Sequence, residues 1–361
     1  MRVVSPLLRR VVYPGLAKSG FFRRGEFLAP AIVTYHGMIP PGYKVIDSTL
    51  DGNLISAESF RRQLEFLTTH FEVISPDKFL RWCEGKQELP QRAVLLTCDD
   101  GLQNVLEMTP ILQEFGLSCL HFVTGASLCE APTMLWHEEL YLMLLAANRD
   151  ATLDVPGVGR FACVAGKEKR LLWGKLVRKL SRLDGEERRS VLGKIRLQLA
   201  LDEEWSSEYL DHTAASRRFR VLTRDELMLL DASGMCIGAH TISHPVLSEA
   251  SAELAWGEIR QCHQNLEQAL GKPVWALAYP YGDFCSVGTR EIRMAEEAGF
   301  VCAFMNVEAK FGTQLTQFAM PRIHVTAQMS MAEFEAHISG FHGWLRQRLM
   351  PSRSAVLVGE A

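Results

Sequence analysis

The chain has 361 residues, of which 47% are apolar and 22% charged, and a formal net charge of −3. These values are typical of a soluble globular protein with one large or two ordinary domains, and the slightly acidic balance argues against general nucleic-acid binding. Nine cysteines, an odd number without a C-x-x-C pair, predict buried reduced thiols rather than a disulfide framework or a zinc knot. No stretch approaches the roughly 18 apolar residues of a membrane span. The N-terminus also lacks the continuous apolar region of a secretory signal, so we predict a cytoplasmic protein.

Seven strands and seven helices are predicted, and they alternate along the chain. The predicted strands are residues 31–36, 71–75, 93–98, 118–123, 235–240, 274–280 and 300–305. The predicted helices are residues 58–70, 76–85, 105–116, 223–234, 248–271, 289–299 and 329–349. Pro110 inside the third helix predicts a kink or a late start. Strands bounded by helices indicate βα units of a parallel sheet or barrel, with catalytic residues on loops at the C-terminal ends of the strands.

Residues 126–222 break this alternation and read as a mostly helical insertion between the fourth and fifth strands, with one polar turn region at DVPGVGRFACVAG. The predicted organisation therefore has five parts. These are a basic N-terminal segment at 1–27, a βα core at 28–125 and 223–348, the insertion at 126–222, and a tail at 349–361.

Basic residues are concentrated in two segments of an otherwise acidic chain. Residues 1–24 carry six Lys or Arg and no acid, and residues 167–197 carry eleven against four acids. Both segments also contain Leu and Val, which suits a surface that meets anionic lipid or a phosphate-bearing substrate. A solvated helix face explains residues 167–197 slightly better, and a packed or disordered terminus explains residues 1–24 equally well. Weak peripheral contact with the inner face of a membrane is therefore one of two open interpretations.

Four polar motifs fall at the predicted C-terminal ends of strands. They are TYHG at 34–37, TCDDG at 97–101, GAHTISHPVLS at 238–248 and AYPYGDF at 278–284. His240 and His244 can meet if the chain coils after its strand, and two neutral imidazoles with one carboxylate form a catalytic zinc-type site. Either Asp99 or Asp100 can supply that carboxylate. A bound cation would explain why two adjacent aspartates lie at the end of a buried strand. One aspartate would bind the cation, and the other would lie beside it and act as a base.

These motifs resemble those of the polysaccharide deacetylases, the NodB-homology family (carbohydrate esterase family four). The matching residues are Thr97-Cys98-Asp99-Asp100-Gly101, His240-Thr241-Ile242-Ser243-His244 and Tyr279-Pro280-Tyr281-Gly282. The resemblance covers roughly residues 28–125 and 223–325, and it implies a deformed α/β, that is (β/α), barrel of about seven strands with a helical insertion.

The sequence departs from the family pattern at three points. Cys98 replaces the usual Phe of the first motif, and Ala278 stands where many members have an Arg that orients the catalytic aspartate. Arg322 is a candidate to replace that arginine. The late Leu-x-His motif is poorly matched, and His324 is its only counterpart. In a subgroup with the early Tyr-His motif the early histidine takes over the acid role, which here falls to His36.

The resemblance implies a metal centre and a mechanism. Asp100, His240 and His244 would hold one divalent ion, zinc in the first place, with iron, cobalt, nickel or manganese as alternatives. Asp99 would act as general base on a metal-bound water, and His36, rather than His324, as general acid. The backbone N–H of Tyr281 would stabilise the oxyanion. Predicted substrate contacts are Thr241, Pro280 and Trp136, and simple packing is an equally open interpretation of Trp136.

The predicted function is hydrolytic removal of an N-acetyl group from a sugar in polysaccharide or glycolipid biosynthesis. The predicted partner is an acetylated sugar or glycan, without nucleic acid. Two alternatives remain open. One is deformylation or O-deacetylation of a lipid-linked or nucleotide sugar, and the other is a non-catalytic carbohydrate-binding relic.

Overall fold

A computed structural model describes residues 6–23, 30–129, 133–147, 151–155, 157–163, 167–211, 213–308 and 316–349. Residues 1–5 and 24–27 of the predicted basic segment, the first two residues of the predicted core and nearly all of the predicted tail lie outside the described residues. None of the helices in the described ranges combines the length and apolar content that a bilayer crossing requires.

The described strands form one large parallel sheet and one small hairpin. They are β1 Ala31–Tyr35, β2 Glu72–Ile74, β3 Ala93–Cys98, β4 Leu120–Val123, β5 Ala151–Val155, β6 Gly159–Cys163, β7 Cys236–Ala239, β8 Ala276–Ala278, β9 Cys302–Phe304 and β10 Ile323–His324. The large sheet has the order β10-β1-β3-β4-β7-β8-β9, with β2 also paired to β3. All seven predicted strands are present, whereas the short strand β10 was not predicted.

The large sheet curls into a barrel. Strand β1 pairs in parallel with β3 along its whole length and with β10 at Val33–Ile323. The chain just before β10 bridges β9 on the other side, at Phe304–Met320. Because the strands are parallel, all their C-terminal ends open on the same side. The predicted fold, a NodB-type deformed (β/α) barrel of about seven strands with an insertion, is confirmed.

Helices surround the sheet and fill the insertion. They are α1 Tyr13–Lys18, α2 Ser48–Asp51, α3 Ala57–His70, α4 Pro76–Cys83, α5 Thr109–Glu114, α6 Trp136–Ala146, α7 Lys167–Leu180, α8 Gly185–Gln198, α9 Ser207–Leu210, α10 Ala214–Phe219, α11 Arg224–Ala232, α12 Ala252–Leu270, α13 Thr289–Glu297, α14 Met331–Ile338 and α15 Phe341–Leu349. Pro110 occupies the first turn of α5, so the late start is the correct alternative.

The predicted helix 329–349 is wrong in one respect, because it consists of two helices, α14 and α15. Gly340 separates them with φ of 79°, a left-handed conformation that glycine adopts without a steric penalty. Ser339 supports the break, since its hydroxyl donates to the carbonyl of Ala336 and accepts from the N–H of Phe341.

The chain between β4 and β7 has an apolar core of its own, built from residues such as Leu140, Leu176 and Ile195. Besides helices it contains the antiparallel hairpin β5–β6, at the place where the sequence indicated only a polar turn region. Val246 from the barrel loop after β7 belongs to the same apolar cluster. The helical segment therefore packs onto the loop that carries the H-x-x-x-H motif.

The N-terminal helical segment packs against the C-terminal helices. A π-helical turn at Leu8–Val12 leads into α1, and Tyr13 and Phe22 are buried in an apolar cluster with residues of α14 and α15. Arg9 pairs with the buried Glu333 at 2.9 Å. Leu7 and Val11 remain 63% and 60% exposed. Much of the apolar surface of this segment is therefore packed against the protein and is not available to insert into a membrane. Membrane contact stays a prediction.

Four polar side chains lie within this contact. Glu308 and His337 Nδ1 lie 2.7 Å apart, and the Tyr13 hydroxyl and His342 Nδ1 lie 2.6 Å apart. The two imidazoles stack at 4.0 Å. Glu308 raises the pKa of His337 against the opposing effect of burial, which indicates an ion pair between the two. The cluster joins α1, α14 and α15 to the loop after β9.

Candidate active site

The four predicted motifs meet at the C-terminal side of the barrel. His36 follows β1, Asp99 and Asp100 follow β3, His240 follows β7, and Tyr281 lies in the loop after β8. Each motif therefore enters the site from the end of a different parallel strand, which is the usual arrangement in (β/α) barrels.

Asp100, His240 and His244 form a compact cluster of possible metal ligands. Asp100 Oδ1 lies 3.4 Å from His240 Nε2 and 3.3 Å from His244 Nε2. His240 Nδ1 lies 2.7 Å from the carbonyl of Ala278, and because a carbonyl only accepts, Nδ1 carries the proton. In the neutral imidazole Nε2 then has its lone pair on the side of Asp100. One carboxylate oxygen facing two imidazole nitrogens suits a divalent ion, with the Ala278 carbonyl fixing the tautomer.

The backbone of the site is strained. Among the described residues, only five non-glycine residues have positive φ, and four of them are in the site: Asp100 at 77°, Thr241 at 65°, His244 at 59° and Tyr281 at 60°. Each such conformation costs on the order of 1–3 kcal/mol and persists only where the surroundings enforce it. Strain of this kind is concentrated where side-chain direction matters more than stability.

Asp99 is held by Arg322. The Arg322 Nη1 and Nη2 atoms donate to the two Asp99 oxygens at 2.7 and 2.6 Å, and both side chains are almost fully buried. Arg322 is itself fixed through Nε to the carbonyl of Met305 at 3.1 Å. Burial raises the pKa of Asp99, but the Arg322 charge outweighs it and the net pKa is lowered, so the carboxylate stays ionised. Arg322 thus makes the contact with Asp99 that a replacement for the arginine missing at position 278 would need.

His36 and His324 lie side by side next to the two aspartates, with ring centroids 4.7 Å apart. Burial is the main cause that lowers the pKa of His324 to about 3, so this imidazole is neutral at ordinary pH. Gly37 fixes the turn after His36. It has φ of 108°, and a Cβ at this position would come within 2.0 Å of the Asn104 side chain. No larger residue fits there without moving Asn104.

The three predicted substrate contacts are all buried. The Trp136 side chain is 8% exposed, and its indole N–H donates to the carbonyl of Ser243 at 2.7 Å, which favours the packing interpretation over a sugar platform. The Thr241 hydroxyl accepts from the N–H of His244 at 3.1 Å. Pro280 is buried beside Tyr281. Among the residues that the structure describes, no hydrogen bond occupies the N–H of Tyr281.

Sequence reasoning missed three residues that touch the motif after β7. His137 of α6 lies 4.5 Å from the His244 ring, Arg188 of α8 contacts Ser243, and Glu258 of α12 binds the same serine. Two of them belong to the insertion, whose docking onto the barrel has no local sequence signal. Glu258 lies on a predicted amphipathic helix, where an acid at a buried position was the one available signal.

Comparisons with known proteins agree with this geometry. A family model described as polysaccharide deacetylase matches residues 200–303, which include the H-x-x-x-H motif and the loop after β8. This part of the chain therefore matches the polysaccharide deacetylase family. The predicted family and enzyme class, a carbohydrate deacetylase among the hydrolases, are thereby confirmed. No curated protein matches the chain significantly.

Solved structures confirm the fold. A deacetylase, PplD, from Streptococcus pyogenes in complex with acetate matches with a TM-score of 0.52 and 15% identity over 85% of this chain and 97% of its own. IcaB from Ammonifex degensii matches with a TM-score of 0.51 and 16% identity over 86% and 97%. A de-N-acetylase from Aggregatibacter actinomycetemcomitans matches with a TM-score of 0.50 and 14% identity over 85% and 99%.

Proposed function

We propose that this deacetylase is metal-dependent and removes an N-acetyl group from a sugar. The observation that carries the proposal is the convergence of Asp100, His240 and His244 beside an ionised Asp99 that is clamped by Arg322. The same three residues would hold the ion through one carboxylate oxygen and two imidazole nitrogens. A divalent ion there would supply Lewis-acid chemistry, activating a water and polarising the acetyl carbonyl.

Asp99 acts as the general base in this proposal. Its lowered pKa keeps it ionised, and the Arg322 fork fixes its direction, so the carboxylate is ready to accept the proton of the attacking water. Asp100 is turned away from Arg322 towards the two histidines by its positive φ. The two adjacent carboxylates are therefore separated in role by their partners, a guanidinium for one and two imidazoles for the other.

His36 donates the proton to the departing amine in this proposal. Its neighbour His324 is kept neutral by burial and has a lowered pKa, so it is poorly suited to carry that proton. The N–H of Tyr281 donates to the acetyl oxygen as negative charge develops there, since Pro280 has no N–H to offer. The products are acetate and a free amino sugar.

The experiment is a substrate panel with the purified full chain, reloaded with zinc after chelation. N-acetyl, N-formyl and O-acetyl forms of the same β-linked amino-sugar oligomers are compared by release of the free acid. The proposal predicts the highest kcat/KM on the N-acetyl form. Faster turnover of the formyl or ester form would replace the proposed substrate by that one, and no turnover of any form would favour a non-catalytic carbohydrate-binding protein.

We also propose a weak membrane contact through the N-terminal helical segment. Arg10 and Lys18 are exposed there, near Leu7 and Val11, and each basic side chain adds about 1 kcal/mol at an anionic surface. Changing Arg10 and Lys18 to Glu should abolish flotation with phosphatidylglycerol vesicles at low salt. Lys44 and Arg62, exposed elsewhere, provide a control with the same charge change. Equal flotation of both double variants would remove the support for this contact.

A further inference from the structure

Ser243 lies between the two histidines of the H-x-x-x-H motif, and side chains from outside its own loop bind all three of its polar groups. Its N–H donates to Glu258 Oε2 at 2.7 Å. Its carbonyl accepts from the Trp136 indole N–H at 2.7 Å, and its hydroxyl accepts from Arg188 Nη1 at 2.7 Å while bonding Glu258 Oε1. A loop serine with every polar group held in this way has little freedom to move.

Arg188 is placed for this contact by the insertion itself. Its side chain is 2% exposed, and it also donates to the carbonyl of Leu180 at 3.1 Å and to that of Leu183 at 2.8 Å. The guanidinium lies 4.6 Å from the Trp136 ring centre, so the two residues that reach Ser243 also support each other. Each of the three guanidinium nitrogens thus donates one hydrogen bond to a protein oxygen, which restricts the side chain to one position.

Glu258 completes the arrangement from the barrel side. It lies on α12, is 5% exposed, and its backbone carbonyl accepts from the N–H of Ile242 at 3.1 Å. The serine is therefore held between a helix of the barrel and two helices of the insertion, α6 and α8. Removal of either side would leave buried polar groups without hydrogen-bond partners, which is unfavourable.

The turn around Ser243 needs this support. Thr241 and His244 on either side of it both have positive φ, a conformation that is held only when the surroundings enforce it. His240 is fixed separately, through the carbonyl of Ala278, whereas His244 Nδ1 has no hydrogen-bond partner among the described residues. The direction of the second imidazole therefore depends on the backbone of the turn together with packing against the His137 ring, 4.5 Å away.

We propose that Arg188 and Trp136 are positioning residues of the insertion, and that by holding Ser243 they keep His244 aligned with Asp100 and His240 for one metal ion. This inference rests on the proposed metal-dependent function. It assigns the insertion a role in the metal site, because a barrel without α6 and α8 lacks both contacts. Residues that orient metal ligands in this indirect way commonly change metal affinity by 10–100-fold when they are lost.

The test measures the zinc dissociation constant of the full chain by competition with a chromophoric chelator. Arg188→Ala should raise it about 10–100-fold. Arg189→Ala, an exposed neighbour on the same helix, is the matched control and should leave it unchanged. Trp136→Phe keeps an aromatic ring, although a smaller one, but loses the N–H donor, so it should raise the constant about two- to tenfold. Trp136→Phe alone decides the question if Arg188→Ala does not fold.

The outcomes separate this proposal from the proposed function. Wild-type affinity in both Arg188→Ala and Trp136→Phe would overturn the positioning role, even if the melting temperature of the metal-free protein fell, and would leave the metal-dependent function standing. Failure of the wild type to bind zinc, cobalt, nickel, manganese or iron would overturn the proposed function and this inference with it.

Discussion

Replacement of Arg322 by Met should uncouple Asp99 from its only buried counter-charge among the described residues. The change removes both short contacts, at 2.7 and 2.6 Å, and leaves a carboxylate that is 3% exposed without a partner. Loss of one member of a buried pair typically costs about 3–5 kcal/mol of the free energy of unfolding. Without the guanidinium, burial dominates, and the pKa of Asp99 rises.

The sign of the pH dependence follows from that reversal. In the wild type the lowered pKa means that ionised Asp99 stabilises the fold above the pKa of an unfolded aspartate, about 3.9, and this contribution is lost as the pH falls through the folded pKa. In Arg322→Met the folded pKa lies above the unfolded one, so the stability deficit is largest at neutral pH and shrinks on acidification. The acid limb of kcat/KM should move to higher pH in the variant.

Two measurements check this prediction, denaturant unfolding at several pH values and a pH–rate profile of deacetylation. At neutral pH we expect a rate loss of about 10²–10⁴-fold, the usual contribution of one acid–base group. The double variant Asp99→Asn/Arg322→Met should recover much of the lost stability but none of the rate, because it buries no unpaired charge. An unmoved acid limb together with near wild-type stability would show that Arg322 does not control Asp99.

Three further predictions concern the proposed metal and acid–base roles. His240→Ala should lose stoichiometric zinc and activity together by metal analysis, and full occupancy in that variant would contradict the ligand assignment. Asp99→Asn should keep the metal and lose about 10²–10⁴-fold in rate. If Asp99→Asn instead lost the metal and Asp100→Asn kept it, the roles of the two aspartates would be exchanged. His36→Ala should remove the basic limb of the pH–rate profile, and its rate should be far lower than that of His324→Ala on the same substrate. If His324→Ala were the far slower variant, His324 would be the general acid.

The barrel was predictable because its strands are short apolar runs separated by capped helices. The strand ends carry the polar motifs, so Asp99, Asp100, His240 and His244 could be placed at one edge without any knowledge of the fold. Strand β10, only two residues long at Ile323–His324, has no periodicity to detect. Its position depends on barrel closure between β1 and β9, which is a property of the whole sheet.

The parts of the site that the sequence did not predict depend on the same long-range contacts. Arg322, which the sequence indicated only as a candidate, reaches Asp99 across 223 positions of the chain, because its segment closes the barrel next to β1. His137 and Arg188 approach His244 and Ser243 only after the insertion folds back on the barrel. Patterns of a few residues cannot encode such placements. They do encode helix ends, and Gly340, whose φ of 79° divides the last helix, is a signal that was available and not used.

The most direct test of the proposed function is a zinc titration of chelator-treated wild-type protein with acetate release from an N-acetylated amino-sugar oligomer as the readout. The account predicts no release without metal, a linear rise in rate that ends at one equivalent of zinc, and no rise in His240→Ala. Release by the metal-free protein at the wild-type rate would contradict it.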